Sequence, residues 1–222
     1  MNKVLIVAAT PLEIQPLLDH FSIVVTGEGM YDTMINEKRQ LNILITGVGM
    51  VNTAYQIGKY SNELFDFILN LGIAGSFNDD VKIGDVVHVA KDELIEMGAE
   101  DGDAFLKAHE LNIGAHANYT EQYNINLPSI DQLKKVKGAT VNKVHGNENS
   151  ISWVKKIFNP DIESMEGAAF FAACARYSNY IQLRAISNKV EKRNKNNWNI
   201  PLAITNLNKT GMKIIEEYFD AN

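Results

Sequence analysis

Residues 163–190, ESMEGAAFFAACARYSNYIQLRAISNKV, run from two carboxylates through a small-residue helix into a buried strand that ends in an amide. Glu163 and Glu166 lie three apart around Met165, just before the apolar run Gly167-Ala168-Ala169-Phe170-Phe171. Ile181-Gln182-Leu183-Arg184-Ala185-Ile186-Ser187 reads as the strand, and it stops at Asn188. In open α/β sheets ligands sit outside the carboxyl ends of strands, so Glu166 and Asn188 are expected to face one pocket. A carboxylate only accepts hydrogen bonds and suits a sugar diol, whereas an amide suits a heterocycle edge. The pair points to a nucleoside.

The same alternation extends outward. Val4-Leu5-Ile6-Val7-Ala8-Ala9 is a continuous apolar run of the kind buried on both faces, and Thr10-Pro11-Leu12-Glu13 opens a helix with a cap, a first-turn proline and an acid at the third position. Two short strands are expected near 22–26 and 30–35, a buried strand over 42–46, and a helix over 50–63. Residues 67–72 repeat the strand-then-glycine pattern, 84–90 and 141–145 read as strands, and 97–128 is the least periodic part. Helices are expected over 150–157, 166–177 and about 200–219, with a strand over 180–187. Strands alternating with helices imply an α/β fold with a central, mainly parallel mixed sheet flanked by helices. No repeat or linker interrupts residues 1–222, which are read as one domain.

Composition narrows the function. The 222 residues are 45% hydrophobic and 22% charged, enough for a sizeable core. A net charge of -6 argues against nonspecific nucleic-acid binding and against anionic membrane surfaces. No apolar stretch approaches the ~20 residues that span a bilayer, and MNKVLIVAATPLE is too short an apolar run for a signal peptide. Cys174 is the only cysteine and forms no internal disulfide, which suits a reducing cytoplasm. The histidines at 20, 88, 109, 116 and 145 make no HxxxH pair or His/Cys cluster, so neither a metal nor another cofactor is expected.

On the Met165-Glu166 and Asn188 pattern the chain resembles the purine nucleosidase/phosphorylase superfamily. Ala8–Leu18 (AATPLEIQPLL), Gly98–Phe105 (GAEDGDAF) and Asn188–Trp198 (NKVEKRNKNNW) resemble its futalosine hydrolase branch. The resemblance implies a nucleoside phosphorylase-like fold and a homodimer. It also implies hydrolysis of futalosine, a hypoxanthine nucleoside of menaquinone biosynthesis. It maps Glu13 onto the water-activating acid, although an acid in a helix's first turn is also simply favoured by the dipole. Met165 and Glu166 map onto the ribose site. Asn188 maps onto the base contact, although a strand-end Asn also serves as a turn residue.

Other residues refine the chemistry. In the phosphorylase branch, the loop matching Asn70-Leu71-Gly72-Ile73-Ala74-Gly75-Ser76 binds phosphate through a cation and a hydroxyl. Here those positions are Asn70 and Ile73, which supply neither, so water is the expected nucleophile. Hypoxanthine presents N7 beside O6, two acceptors, which an amide NH2 can meet and an ionised acid cannot. Gly47-Val48-Gly49 begins like a dinucleotide fingerprint, but the third glycine position is Asn52. A turn bringing backbone to a small ligand is the preferred reading. Glu13 and Asn188 are thus the expected catalytic residues, and Met165, Glu166, Ile73, Gly49 and Asn149 the expected substrate-binding ones. Gly98–Phe105 is either a solvated acidic loop or, as the resemblance implies, part of the pocket rim. Arg193 or a nearby lysine is a candidate for the aglycone carboxylate of futalosine. The competing readings are a 5′-methylthioadenosine-type nucleosidase and a noncatalytic purine-nucleoside-binding module.

Overall fold

A computed structural model describes residues 1–111 and 116–222. In chain order the elements are β1 (Asn2–Ala8), α1 (Gln15–His20), β2 (Gly29–Asn36), β3 (Arg39–Ile45), α2 (Met50–Lys59), β4 (Phe67–Ser76), β5 (Val86–Leu94), β6 (Gly98–Asp101), β7 (Ala104–Lys107), β8 (Asn118–Thr120), α3 (Pro128–Asp131), β9 (Lys134–Thr140), α4 (Glu148–Ile157), β10 (Ile162–Ser164), α5 (Gly167–Cys174), β11 (Tyr180–Lys189) and α6 (Ile200–Ala221). A 3₁₀ turn, Pro11–Ile14, links β1 to α1.

The sheet runs β10-β9-β5-β11-β4-β1-β3-β2, with β8 beside β5. β1, β3, β4 and β11 are mutually parallel, as expected, while β2 and β5 join antiparallel. Because β10 also pairs with β4, the path from β4 through β11, β5, β9 and β10 closes on itself. One half of the sheet is therefore barrel-like and the other open.

Side-chain alternation on the central strands builds two cores. Val4, Ile6, Leu69 and Leu71 face Leu207, Ile214 and Phe219 of α6. Leu5, Val7 and Ile68 face Ile57 of α2 and Phe170, Phe171 and Cys174 of α5. Fully burying one such aliphatic side chain contributes about 1.5–3 kcal/mol, so β1 is held from both sides. α5 is apolar all round because α2 covers the face the sheet does not. Burial pushes the Cys174 thiol's pKa up, leaving it an inert core residue.

Several expectations are corrected. Residues 22–26 form no strand: Ile23 and Val25 pack on the core and Val24 points outward, but no neighbour completes a ladder. The strand expected at 141–145 lies earlier, at β9, where Lys134, Lys135 and Lys137 masked the pattern; Lys137 pairs with the buried Glu93 (2.8 Å). Gly72 does not end β4, which runs on through it and Gly75 to Ser76 as a strand. Gly98–Phe105 falls in the β6–β7 hairpin, whose Phe105 packs on Trp153 and Phe158.

Gly167 begins α5 against a buried polar knot. Asp92 accepts from Thr140 Oγ1 (2.7 Å) and Gln182 Nε2 (3.2 Å), and Thr140 Oγ1 accepts from the Ala168 N–H (2.7 Å). A Cβ on Gly167 would strike Asp92 Oδ2 and lie 2.5 Å from Gln182 Oε1. Helix propensity favours alanine by ~1 kcal/mol, but overpacking a core typically costs about 1–3 kcal/mol. Gly167→Ala is therefore expected to lower the midpoint of denaturant unfolding. An equal or higher midpoint would show that the Asp92 knot yields.

Candidate active site

A cavity of about 300 Å³ opens where β1, β4 and β11 end and where β10 leads into α5. Glu13, Ile73, Met165, Glu166 and Asn188 all belong to its wall. The structure thus brings together, from four separate stretches of chain, five of the seven residues expected at the site.

Glu13 sits on the 3₁₀ turn after β1. Its Oε2 accepts from the Thr10 N–H (3.1 Å) and Thr10 Oγ1 (3.3 Å), and its Oε1 from the Ile73 N–H (3.2 Å). Asn208 of α6 holds the backbone of this turn, donating to the Glu13 carbonyl (2.9 Å) and accepting from the Leu17 N–H (3.1 Å). Burial raises the Glu13 pKa above its ordinary 4.5, and the Glu166 charge raises it further. Arg184 and the Ile73 and Thr10 N–H groups oppose that rise.

Glu166 lies just ahead of α5. Its Oε1 accepts from the Gly49 N–H (3.0 Å) and its Oε2 from the Met165 N–H (3.3 Å). Gly49 adopts φ 96°, a left-handed conformation that glycine takes without strain. Gly49 is therefore not a wall residue but the donor that holds Glu166, and its neighbour Val48 lines the cavity instead. Ile73 holds Glu13 through its N–H while its side chain lines the wall.

Sequence reasoning missed Arg184. This side chain is 1% exposed, and its Nη2 lies 3.9 Å from Glu166 Oε2. A Cβ on Gly72 would come within 2.7 Å of Arg184 Nη1 and 3.2 Å of Glu13 Oε1. The guanidinium and the Glu13 carboxylate therefore converge beside the bare backbone of Gly72, with Glu166 facing the guanidinium's other terminal nitrogen. A charged residue inside an apolar strand, four before Asn188, was the available signal.

Asn188 follows an irregularity in the β11 ladder between Ile186 and Asn188. Its Oδ1 accepts from Ser187 Oγ (2.8 Å) and its Nδ2 donates to the Lys189 carbonyl (2.9 Å). The carbonyl only accepts, which fixes the amide nitrogen on that side. Asn149 is not part of the site: it is exposed in the first turn of α4, where its N–H donates to Asn147 Oδ1 (3.0 Å). No residue of Gly98–Phe105 lines the cavity, and Arg193 stands outside it, its guanidinium 5.2 Å from the ring centre of the wall residue Trp198.

The wall carries both polar and apolar side chains. Glu13, Glu163, Glu166, His145 and Asn188 are among its polar members, and Leu12, Val48, Trp198, Ile200 and Ile204 among its apolar ones. The carboxylates make the lining acidic, and among the described residues no lysine or arginine shares the wall. The chain matches the phosphorylase superfamily over residues 3–219.

The chain belongs to the phosphorylase superfamily. Within it the chain is 26% identical over 182 residues to futalosine hydrolase of Thermus thermophilus, covering 78% of this chain and 80% of that one. It is 28% identical over 184 residues to futalosine hydrolase of Acidothermus cellulolyticus, covering 75% and 71%. The fold superimposes on a 5′-methylthioadenosine/S-adenosyl homocysteine nucleosidase of Campylobacter jejuni with a TM-score of 0.79 and 20% identity, covering 98% and 99%.

The raised Glu13 pKa has a sign. A carboxylate that must be ionised to act loses its function as pH falls through a pKa lying above 4.5. Glu13, followed by carbon-detected NMR, should titrate above a free glutamate. Arg184→Met should move it higher, since the lowering charge is gone. A titration at or below the free value would contradict this account of the site.

Proposed function

We propose that the chain hydrolyses the N-glycosidic bond of a 6-oxopurine nucleoside, futalosine being the substrate its relatives point to, with hypoxanthine released in a menaquinone-biosynthetic route. The observation that carries this reading is the convergence of Glu13, Glu166 and Asn188 on one cavity from three separate segments. Glu13 is the general base that orients and deprotonates water beneath C1′. Glu166 accepts the 2′ and 3′ hydroxyls and stabilises the cationic sugar as it develops. Met165 is the apolar platform beneath the ring. Asn188 donates to the departing base at N7 and O6.

Water rather than phosphate is the nucleophile in this reading. Asn70 is buried within the sheet, its Nδ2 donating to the Val7 carbonyl (2.9 Å), and Ile73 offers no hydroxyl. A phosphate dianion would meet Glu13, Glu163 and Glu166 instead. The homodimer that the resemblance implies is supported by Val48, Val51 and Tyr55, exposed at and beyond the start of α2 with Val48 at the cavity mouth.

Incubating the pure protein with futalosine, inosine and 5′-methylthioadenosine tests the assignment by chromatography. Hypoxanthine release from futalosine should not depend on phosphate. A rate that saturates with added phosphate and yields a sugar 1-phosphate would overturn the hydrolase reading. Glu13→Gln should reduce turnover about 10²–10⁴-fold, and retention of more than about a tenth would mean another group is the base.

The amide at 188 gives a sharper test. In Asn188→Asp an ionised oxygen would face the Lys189 carbonyl where Nδ2 now donates, and it could not donate to O6 and N7. An unmade buried hydrogen bond costs about 1–3 kcal/mol, roughly ten- to hundredfold in rate. Cleavage of the hypoxanthine nucleoside should fall by this factor at neutral pH and recover partly in acid. The matching adenine nucleoside should lose less. Equal losses on both would show that residue 188 does not read the base.

A further inference from the structure

His145 and Glu163 form a buried pair at the cavity that the roles above leave unused. Glu163 Oε1 accepts from the His145 backbone N–H (3.0 Å), and Oε2 lies 2.6 Å from His145 Nδ1. Both residues line the cavity, and Glu163 is 3% exposed. Their end of it is set by the sheet, since Glu163 on β10 and Asn188 on β11 both pair with Gly75 of β4. A Cβ on Gly75 would lie 3.1 Å from Asn188 Nδ2 and 3.6 Å from Glu163 Cγ. The pair therefore shares the end of the cavity that holds Asn188.

Hydrogen-bond chemistry decides which ring nitrogen carries the hydrogen. A carboxylate only accepts, so the Oε2 contact requires a hydrogen on Nδ1. In the neutral imidazole the lone pair is then on Nε2, because the hydrogen bond the ring makes among the described residues is at Nδ1. The cavity wall thus offers an acceptor beside the Asn188 donor. A 6-oxopurine needs that combination: O6 and N7 accept, while N1 carries a hydrogen. Adenine has a bare N1 and gains nothing from a second acceptor there.

We propose that His145 reads position 1 of the purine, accepting the N1–H of a 6-oxopurine at Nε2, and that Glu163 is the positioning residue that sets its tautomer. The inference rests on the nucleoside reading above and deepens it, because two side chains then select the base where Asn188 alone could not distinguish N1–H from bare N1. Sites built to pair a particular substrate group discriminate strongly against analogues lacking it.

Glu163→Gln separates positioning from mere packing. The His145 backbone N–H can only donate, so the amide oxygen must take the Oε1 position. The amide NH2 then faces Nδ1 and donates to it, which forces the ring hydrogen onto Nε2. The variant should show the Nε2–H tautomer by ¹⁵N NMR, where the parent shows Nδ1–H. The ratio of kcat/KM for a 6-oxopurine nucleoside over the 6-aminopurine nucleoside with the same 5′ group should fall about ten- to hundredfold. His145→Ala should lower the same ratio without any gain on the 6-aminopurine. Calorimetry on the unaltered protein gives a test that needs no variant: free hypoxanthine should bind about ten- to hundredfold more tightly than 1-methylhypoxanthine. Equal binding of those two bases overturns the proposal, as does an unchanged ratio in both variants while the parent still prefers the 6-oxopurine. A parent that cleaves and binds no purine nucleoside refutes instead the function proposed above.

Discussion

Two carboxylates, Glu13 and Glu166, line one cavity with a buried arginine behind its wall, and this electrostatic constraint organises much of what surrounds them. Burial and the neighbouring Glu166 charge make Glu13 resist ionisation. The protein offsets this with backbone N–H donors drawn from separate places: Thr10 after β1, Gly49 after β3, Met165 before α5, and Ile73 within β4. Arg184 adds a full positive charge from β11. The bare backbone of Gly72 lets the guanidinium and Glu13 draw together, and the left-handed Gly49 turns its N–H onto Glu166. The ends of the central strands must therefore converge for the acids to remain usable as acids.

Behind Glu166 lies a second polar layer. Asp92, Thr140 and Gln182 are buried, and burial pushes the Asp92 pKa up to about 6 against the hydrogen bonds and the Arg184 charge that lower it. Through Thr140 Oγ1 this layer grips the first turn of α5 at Ala168, fixing the helix that follows Glu166. Because the folded-state pKa is raised, folding favours the protonated Asp92, and that contribution is lost as pH rises through about 6. Asn208 does the corresponding work for Glu13, tying its turn to α6. Each acid is thus anchored to a helix on a different face of the sheet.

The main features of this arrangement were legible in linear order. Apolar runs such as Val4–Ala9 marked strands covered on both faces, and the carboxylates before Gly167 marked the start of a helix. Asn188, at the end of an apolar segment, could be placed beside them by the rule that ligands gather at strand ends. Less legible were β9, where lysines reach outward from a buried strand, and 22–26, where alternation occurs without a neighbouring strand. Gly72 looked like the end of β4 but, like Gly75, is a place where side chains crowd an uninterrupted strand. Asn149 illustrates the opposite error, a polar residue whose hydrogen bonding is local to its own helix cap.

The order of apolar runs, glycines and acids by itself gave the α/β class, the parallel core of the sheet and the expectation that Glu166 and Asn188 face one pocket, to which the family resemblance added Glu13 and Met165. The first three follow from local periodicity and from the chemistry of individual side chains, both written in the linear chain. Only the tertiary structure decided the closure of β10 onto β4, the approach of Arg184 to both acids, the turning of Gly49 from ligand contact into carboxylate support, and the meeting of His145 with Glu163. Each of these joins residues far apart in sequence or depends on which way a side chain leaves its strand. Such contacts are chosen by packing, because a buried charge or amide holds its position only where distant backbone donors and partners arrive together.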